Sequence, residues 1–383
     1  MRLFVSAGEP SGDLHGANLI RALHEYHPGV EVLGFGGDEM QKAGCRLVYP
    51  LCNFAVLGLS RVLASLPQFV RLLALADHTF KTQRPDALVM IDFPGFHWWL
   101  ARRARAHRIP VIYFVPPQIW GWATWRHHKM RRLCDEVLCC LPFEETWLRA
   151  RKINARYIGH PYFDELRQQR LDGAFLAEQR GRPGTVIALL PGSRTQELQY
   201  NTGPLLRAAA LVHARRPDVR FLTACLKPHQ RDLFADQARR TGLPIEIHAG
   251  RTAEIIQLAH SCMAVSGSVG LELLYRGRPS VVIYHYSWLI AILDRLLMRS
   301  PYISLVNLLA GKRLFPEYRS VRCLSEVMAG HILHWLNDRE AYEGVCGELK
   351  AVRQRVAEPG ACERAARRIL EVVGAVVQKR RAA

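Results

Sequence analysis

The chain has 383 residues, of which 49% are apolar and 22% charged. That balance excludes a disordered protein, and the length exceeds what one core usually serves, so two domains are expected. Ten cysteines lie scattered with no Cys-x-x-Cys pair, which excludes a zinc ribbon and a thioredoxin motif and fits a reducing, cytosolic compartment. The formal net charge of +18 points either to an anionic partner (nucleic acid, an acidic membrane surface, a phosphorylated substrate) or simply to arginine-rich solvated faces.

The first strand, 2–7, begins at once, with no signal-peptide regions ahead of it. It runs into Gly8-Glu9-Pro10-Ser11-Gly12-Asp13, a glycine turn that opens a helix over Gly12–His27. The turn lacks both the dinucleotide spacing and the Walker lysine. Its acidic members would repel phosphate, so a sugar-hydroxyl or acceptor role suits it; proline at the first helical position and acids in the first turn also suit a plain helix start. A strand at 31–35 follows. The segment Phe54–Ala76 carries Val56, Leu59, Val62, Leu63, Leu66, Phe69, Val70 and Leu73 near helical spacing. Arg61, Pro67 and Arg71 interrupt it, so it reads as a core helix or as a membrane-touching or acyl-binding helix, not a span.

The apolar strand 87–92 ends on Asp92, just before Phe93-Pro94-Gly95. In a parallel sheet the ligand crevice lies outside the carboxyl ends of the strands, which would place this carboxylate there. Between Ile91 and Phe93 it would be partly desolvated, raising its pKa toward general-base range. The competing reading is an N-cap for the helix Gly95–His107. Strands at 110–115 and 136–141 come next. Trp98-Trp99 and Trp120-Gly121-Trp122-Ala123-Thr124-Trp125 lie among Arg102, Arg103, Arg105, Arg126 and Lys129, a mixture suited to base stacking, a membrane interface or lipid chains. His160 sits at the expected domain boundary and reads as catalytic or structural.

The stretch 162–184 is polar and rich in Gln, Arg and Gly, and reads as a linker. The alternation then restarts with strands 185–190, 219–225, 244–248, 262–266 and 279–284. Two of these run into glycine turns: Gly192-Ser193-Arg194, and Ser266-Gly267-Ser268 followed by Gly270 and Glu272. Each leaves backbone N–H groups at a helix start, where phosphate is favoured; Arg194 adds a bidentate fork and Glu272 could accept ribose hydroxyls. A capped turn with a surface arginine and a helix-dipole carboxylate are the plainer alternatives. Ser287–Met298, interrupted by Asp294, is apolar but too broken to span a bilayer. After Cys323 the pattern is helical, and the last helix, about 360–378, has Ala365, Ile369, Val372 and Val373 on one face, enough to cross back onto the first domain. The alternation means doubly wound parallel sheets, with a nucleotide diphosphate held mainly by the second.

Taken in order, Gly8–Asp13, Ile91–Phe96, Trp120-Gly121-Trp122, Gly159-His160-Pro161, Leu190–Arg194, Ser266–Ser268 with Glu272, Ser304–Gly311 and Gly360–Ala366 resemble the lipid-A-disaccharide synthase family from the first strand to the last helix. The resemblance implies a GT-B fold of two facing Rossmann-like domains, 1–164 with about 360–383 for the acceptor and 165–359 for the donor. It implies an inverting transfer from UDP-2,3-diacylglucosamine to the 6-hydroxyl of 2,3-diacylglucosamine 1-phosphate, giving a β-1,6-linked disaccharide 1-phosphate and UDP. By position, Asp92 matches the family's base, Glu9 and Ser11 its N-terminal site motif, and Arg194 and Asn307 essential donor-side positions. Gly192, Ser193, Arg194, Ser266, Gly267, Ser268 and Glu272 would then hold the UDP. No cofactor, metal or nucleic acid is expected; a homodimer is compatible with the resemblance. The implied location is the cytoplasm, peripherally on the inner membrane, which accords with the basic charge and the 54–76 segment. Two departures stand out: Gly95 and His97 replace an Asp and an Asn of the family's pattern, and Ala123 follows the tryptophans where it has Arg.

The resemblance and the residues together predict that Asp92 takes the proton of the attacking hydroxyl while Arg194 and the turn N–H groups steady the departing UDP. Another UDP-N-acetylglucosamine-type transferase or a 2-epimerase on the same architecture is the alternative enzyme. A non-catalytic RNA- or membrane-binding protein is the alternative from a different class, and it would leave the phosphate turns unexplained.

Overall fold

A computed structural model describes residues 1–53, 66–225, 228–285, 288, 298 and 300–382. The chain divides into two units, Met1–Glu165 with Glu358–Ala383, and Leu166–Ala357. The first holds seven strands: β1 (Arg2–Ala7), β2 (Glu31–Phe35), β3 (Arg46–Tyr49), β4 (Ala87–Ile91), β5 (Val111–Phe114), β6 (Glu136–Cys139) and β7 (Ala155–Tyr157). All pair in parallel, in the order β3-β2-β1-β4-β5-β6-β7. Parallel strands need crossover helices, which cover both faces, so the central strands must be apolar throughout. β4 meets that demand, since Ala87, Leu88, Val89, Met90 and Ile91 are all fully buried.

The helix Pro10–Tyr26 starts with proline in its first turn, where the missing N–H costs nothing. Its buried Leu19, Ile20 and Leu23 share a core with Ala365, Ile369 and Val373 of the C-terminal helix Ala361–Ala382. That last helix is fastened to the first unit by charge as well. The Asp164 carboxylate accepts from the Gly360 and Cys362 N–H groups at 2.6 and 3.0 Å, and Arg368 forks onto the buried Glu136 at 2.8 and 3.0 Å. The crossing back expected from the sequence is therefore present.

The second unit holds six strands: β8 (Thr185–Leu190), β9 (Val219–Cys225), β10 (Ile245–Ala249), β11 (Ser261–Val265), β12 (Ser280–His285) and β13 (Glu317–Ser320). They too are all parallel, in the order β10-β9-β8-β11-β12-β13. Both sheets have the reversal of strand order that marks a doubly wound Rossmann-like fold.

Three differences from the sequence reading have physical causes. β3 and β13 are edge strands, half-exposed along their length, and so carry no apolar run to read. The stretch read as a linker, 162–184, holds the helices Pro161–Gln168 and Gly173–Arg180; they are short and mostly polar. Of the apolar segment 54–76, residues 54–65 lie outside the described residues, and the remainder opens the helix Leu66–Gln83. Ser287–Met298 lies outside them too, apart from 288 and 298. No helix among the described residues is long and apolar enough to cross a membrane.

Candidate active site

In the first sheet the strand order reverses between β1 and β4, whose last residues pair, Ala7 opposite Ile91. Gly8 and Asp92 therefore leave the sheet side by side, about 5 Å apart. A Cβ on Gly8 would fall within the Phe93 ring, so glycine there is what lets the two turns close over each other. Glu9 caps the helix Pro10–Tyr26 with its backbone carbonyl, which accepts from the Asp13 N–H at 2.9 Å. Its side chain makes no cap hydrogen bond and remains half-exposed beside Asp92, while Ser11 is exposed in the helix's first turn.

Asp92 is not an N-cap: the helix Pro94–Ala106 is capped by Phe93, with no side-chain cap bond. Instead Asp92 and Phe93 both take left-handed backbone angles, with φ of +47° and +49°, which cost about 1–2 kcal/mol apiece for non-glycine residues. Such strain persists only where the surroundings enforce it. Here the Asp92 carbonyl accepts from Tyr113 Oη at 2.8 Å and from His97 Nδ1 at 2.6 Å, and its N–H donates to Val115 O at 3.2 Å. Burial raises the carboxyl from 3.8 to about 6, helped by the Glu9 charge and opposed by the Phe93 N–H and by His15. His15 itself meets Glu165 through Nδ1 at 2.6 Å. Burial lowers His97 to about 4, so its ring is neutral near neutral pH.

The second sheet repeats the device. Its order reverses between β8 and β11, where Leu190 pairs with Ala264, so the turns 192–194 and 266–268 emerge from neighbouring strand ends. Gly192 has a φ of +105°, and a Cβ there would meet the Glu197 carboxylate at 2.5 Å. That carboxylate accepts from the Ser193 and Arg194 N–H groups at 2.9 and 3.1 Å, and Arg194 Nη1 reaches it at 3.3 Å. The N–H groups expected to greet a phosphate are thus covered by an anion from their own helix, a capping box that the Glu three residues after Arg194 signals. Arg194 is otherwise exposed. In the second turn, the N–H groups of Gly267, Ser268 and Val269 donate no hydrogen bond within the described residues, and Gly267 and Ser268 are exposed. Glu272, one turn on, is buried and paired with the buried Arg276 at 3.0 Å.

Several other residues singled out from the sequence serve the scaffold. Asn307 is fully buried: its Oδ1 accepts from the Leu314 and Phe315 N–H groups at 2.9 and 2.7 Å, and its Nδ2 donates to Phe315 O at 2.8 Å. Its amide faces the chain's own loop. Asp13 accepts from the N–H groups of Gly37, Glu39 and Met40 at 2.7, 3.0 and 3.1 Å, and so caps the helix Asp38–Lys42. His160, lowered to about 3 by burial, accepts from the Tyr162 N–H at 3.2 Å. Trp120 donates to the buried Glu144 at 2.9 Å. Trp99, Trp122 and Trp125 are the exposed tryptophans of those two clusters, with Arg102 stacked on Trp99 at 4.7 Å and Arg126 on Trp122 at 4.6 Å. No group of three His, Cys, Asp or Glu side chains among the described residues could hold a metal ion.

Beside Phe93, the residue after Asp92, opens a cavity of about 740 Å³, lined by Phe69, Val70, Leu73, Phe96 and Trp99 among others, with Asp77 and Arg103 as its charged members. Most of its lining is hydrocarbon, as in an apolar ligand site.

The model of the family described as lipid-A-disaccharide synthetase matches residues 3–367. The lipid-A-disaccharide synthase of Anaeromyxobacter sp. (strain K) is 34% identical over 380 residues, spanning 97% of each chain. Among solved structures, a putative UDP-N-acetylglucosamine 2-epimerase from Listeria monocytogenes superposes with a TM-score of 0.66 at 13% identity, covering 97% of this chain and 94% of that one. The glycotransferase of kitacinnamycin does so with a TM-score of 0.64 at 17% identity, covering 97% and 98%. At such identities the superpositions show the shared fold alone, that of GT-B glycosyltransferases and epimerases.

Proposed function

The chain belongs to the lipid-A-disaccharide synthase family, a family of glycosyltransferases in lipid A biosynthesis, and on that premise we propose that it is an inverting transferase. It joins UDP-2,3-diacylglucosamine to 2,3-diacylglucosamine 1-phosphate, giving the β-1,6-linked disaccharide 1-phosphate and UDP. The observation that carries this reading is Asp92, held at the switch point of the first sheet with its carboxyl raised to about 6, next in the chain to Phe93, which lines an apolar cavity.

In the proposed reaction the acceptor's 6-hydroxyl attacks C1 of the donor sugar. A bond forms from that oxygen to C1, the bond from C1 to the diphosphate oxygen breaks, and the hydroxyl proton passes to Asp92. A base near 6 is ionised at neutral pH yet retains useful proton affinity. C1 passes through an oxocarbenium-like state, as in glycoside cleavage, while negative charge grows on the departing UDP. Arg194 and the open N–H groups of Gly267, Ser268 and Val269 would receive that charge. Those on Ser193 and Arg194 join only if Glu197 swings aside. Glu272 would reach the ribose only by turning from its buried pair with Arg276, and Asn307 serves indirectly by fixing the loop beyond its helix. No metal or cofactor is assigned a role.

The cavity beside Phe93 would take an acyl chain, and the exposed Trp99, Trp122 and Trp125, the first two with stacked arginines, would rest on an anionic lipid surface. The proposed location is therefore peripheral, on the cytoplasmic face of the inner membrane, a reading that the basic charge supports. Mass spectrometry of products from UDP-2,3-diacylglucosamine plus 2,3-diacylglucosamine 1-phosphate tests the reading. The disaccharide 1-phosphate is expected; its absence, or epimerisation of UDP-N-acetylglucosamine instead, would overturn it.

A further inference from the structure

His97 is fully buried in the first turn of the helix Pro94–Ala106, and both of its ring nitrogens are engaged. Nδ1 lies 2.6 Å from the Asp92 carbonyl and Nε2 lies 2.9 Å from Ser6 Oγ, on the penultimate residue of β1. A carbonyl oxygen only accepts, so Nδ1 must carry the proton. Nε2 then accepts from the Ser6 hydroxyl, and a single neutral tautomer satisfies the whole chain Ser6–His97–Asp92. The ring is wedged among Phe93 at 5.8 Å, Phe96 at 6.1 Å and Tyr113 at 6.3 Å, so it cannot turn away. With no free nitrogen it moves no proton in the reaction.

We propose that His97 is a positioning residue for Asp92: the bond from its Nδ1–H holds the left-handed Asp92 peptide, and through it the direction of the carboxylate. This rests on the reading of Asp92 as the base. The reasoning is geometric. An Asp92 peptide released from its left-handed angle would rotate the Cα–Cβ bond, and a misplacement of about 1 Å at a reacting group costs about 10²-fold in rate. The second donor, Tyr113 Oη, is placed on the neighbouring strand β5 and holds the same oxygen at 2.8 Å. Among the described residues, His97 alone links that oxygen to β1, the other strand of the switch point. An asparagine at this position could also donate an amide N–H and accept at its oxygen.

The test is a double-mutant cycle on the full-length enzyme. His97→Phe, which keeps volume and removes the donor, is expected to lower kcat by about 10²-fold with KM changed less than about threefold. The acid limb of its kcat/KM profile should move, because the carboxylate no longer sits in the same desolvated place. His97→Asn should recover to within about tenfold of the wild type. In an Asp92→Asn background, His97→Phe should cost nothing further, since a residue that acts through Asp92 has nothing left to position. Wild-type turnover in His97→Phe would overturn the proposal, as would equal impairment of the Asn and Phe variants or an undiminished loss in the Asp92→Asn background. If Asp92→Asn alone turns over like the wild type, the base reading falls first, and the cycle shows that separately. Should His97→Phe fail to fold, Ser6→Ala removes only the hydroxyl that fixes the tautomer, and a smaller loss that disappears with Asp92→Asn is expected.

Discussion

Replacing Asp92 with asparagine should make the protein more stable and nearly inactive. Asparagine keeps the size of the side chain and tolerates the left-handed angle that Asp92 adopts, so the charge is what changes. The carboxyl is raised from 3.8 to about 6, chiefly by burial. At about 1.4 kcal/mol for each tenfold change in proton affinity, ionised Asp92 destabilises the fold by up to about 3 kcal/mol, and by less where water reaches the half-buried group. The folded protein binds the proton more tightly than the unfolded chain. Stability therefore falls as pH rises from about 4 to 6, and the deficit is complete above that. Thermal denaturation of both proteins from pH 4 to 8 reads this directly. The variant should melt at nearly the wild-type temperature at pH 4, and about 4–9 °C higher at pH 7.5, by the usual scaling for domains of this size. Its kcat should fall by about 10²–10⁴-fold. Equal melting temperatures at pH 7.5, or a gap that does not grow with pH, would refute the claim that the fold holds this carboxylate under strain. Unchanged turnover would remove it from the chemistry.

Wild-type kcat/KM should fall about tenfold per pH unit below about 6 and level off above it, as a steady-state pH profile will show. Arg194→Lys should lower kcat/KM by about 10²-fold through loss of the fork on the diphosphate, with melting unchanged because the side chain is exposed. Glu197→Gln removes the anion that covers the Ser193 and Arg194 N–H groups, so UDP should bind several-fold tighter by calorimetry; weaker binding would mean that the carboxylate shapes the site. Asn307→Ala strands three buried hydrogen bonds and should cost about 2–4 kcal/mol in denaturant unfolding, with activity lost in step with folded protein. Ala74→Phe, at the wall of the apolar cavity, should shorten the acyl chains accepted in competition assays between acceptors.

The sequence by itself determined the two parallel sheets and which turns stand at their strand ends. Continuous apolar runs can be buried only with helices on both faces, and a glycine turn after such a run marks a strand end. That logic gives Gly8–Asp13, Asp92, Gly192–Arg194 and Ser266–Ser268, and the order of the motifs gives the family. It could not find β3 or β13, because an edge strand needs no apolar run, nor the two polar helices within 162–184. What each side chain does was decided by the tertiary structure. Asp13 and Asn307 look like chemistry in one dimension, and in three their carboxylate and amide are held by neighbouring backbone. Glu197 is not singled out in the sequence and His97 stands out only as a departure from the family's pattern, yet one covers the turn 192–194 and the other grips the Asp92 carbonyl. Pattern fixes which residues reach a strand end, since period and turn chemistry are local. Which hydrogen bonds those residues make depends on partners from 2 to 91 positions away, and only the folded backbone sets the distances and angles at which they meet.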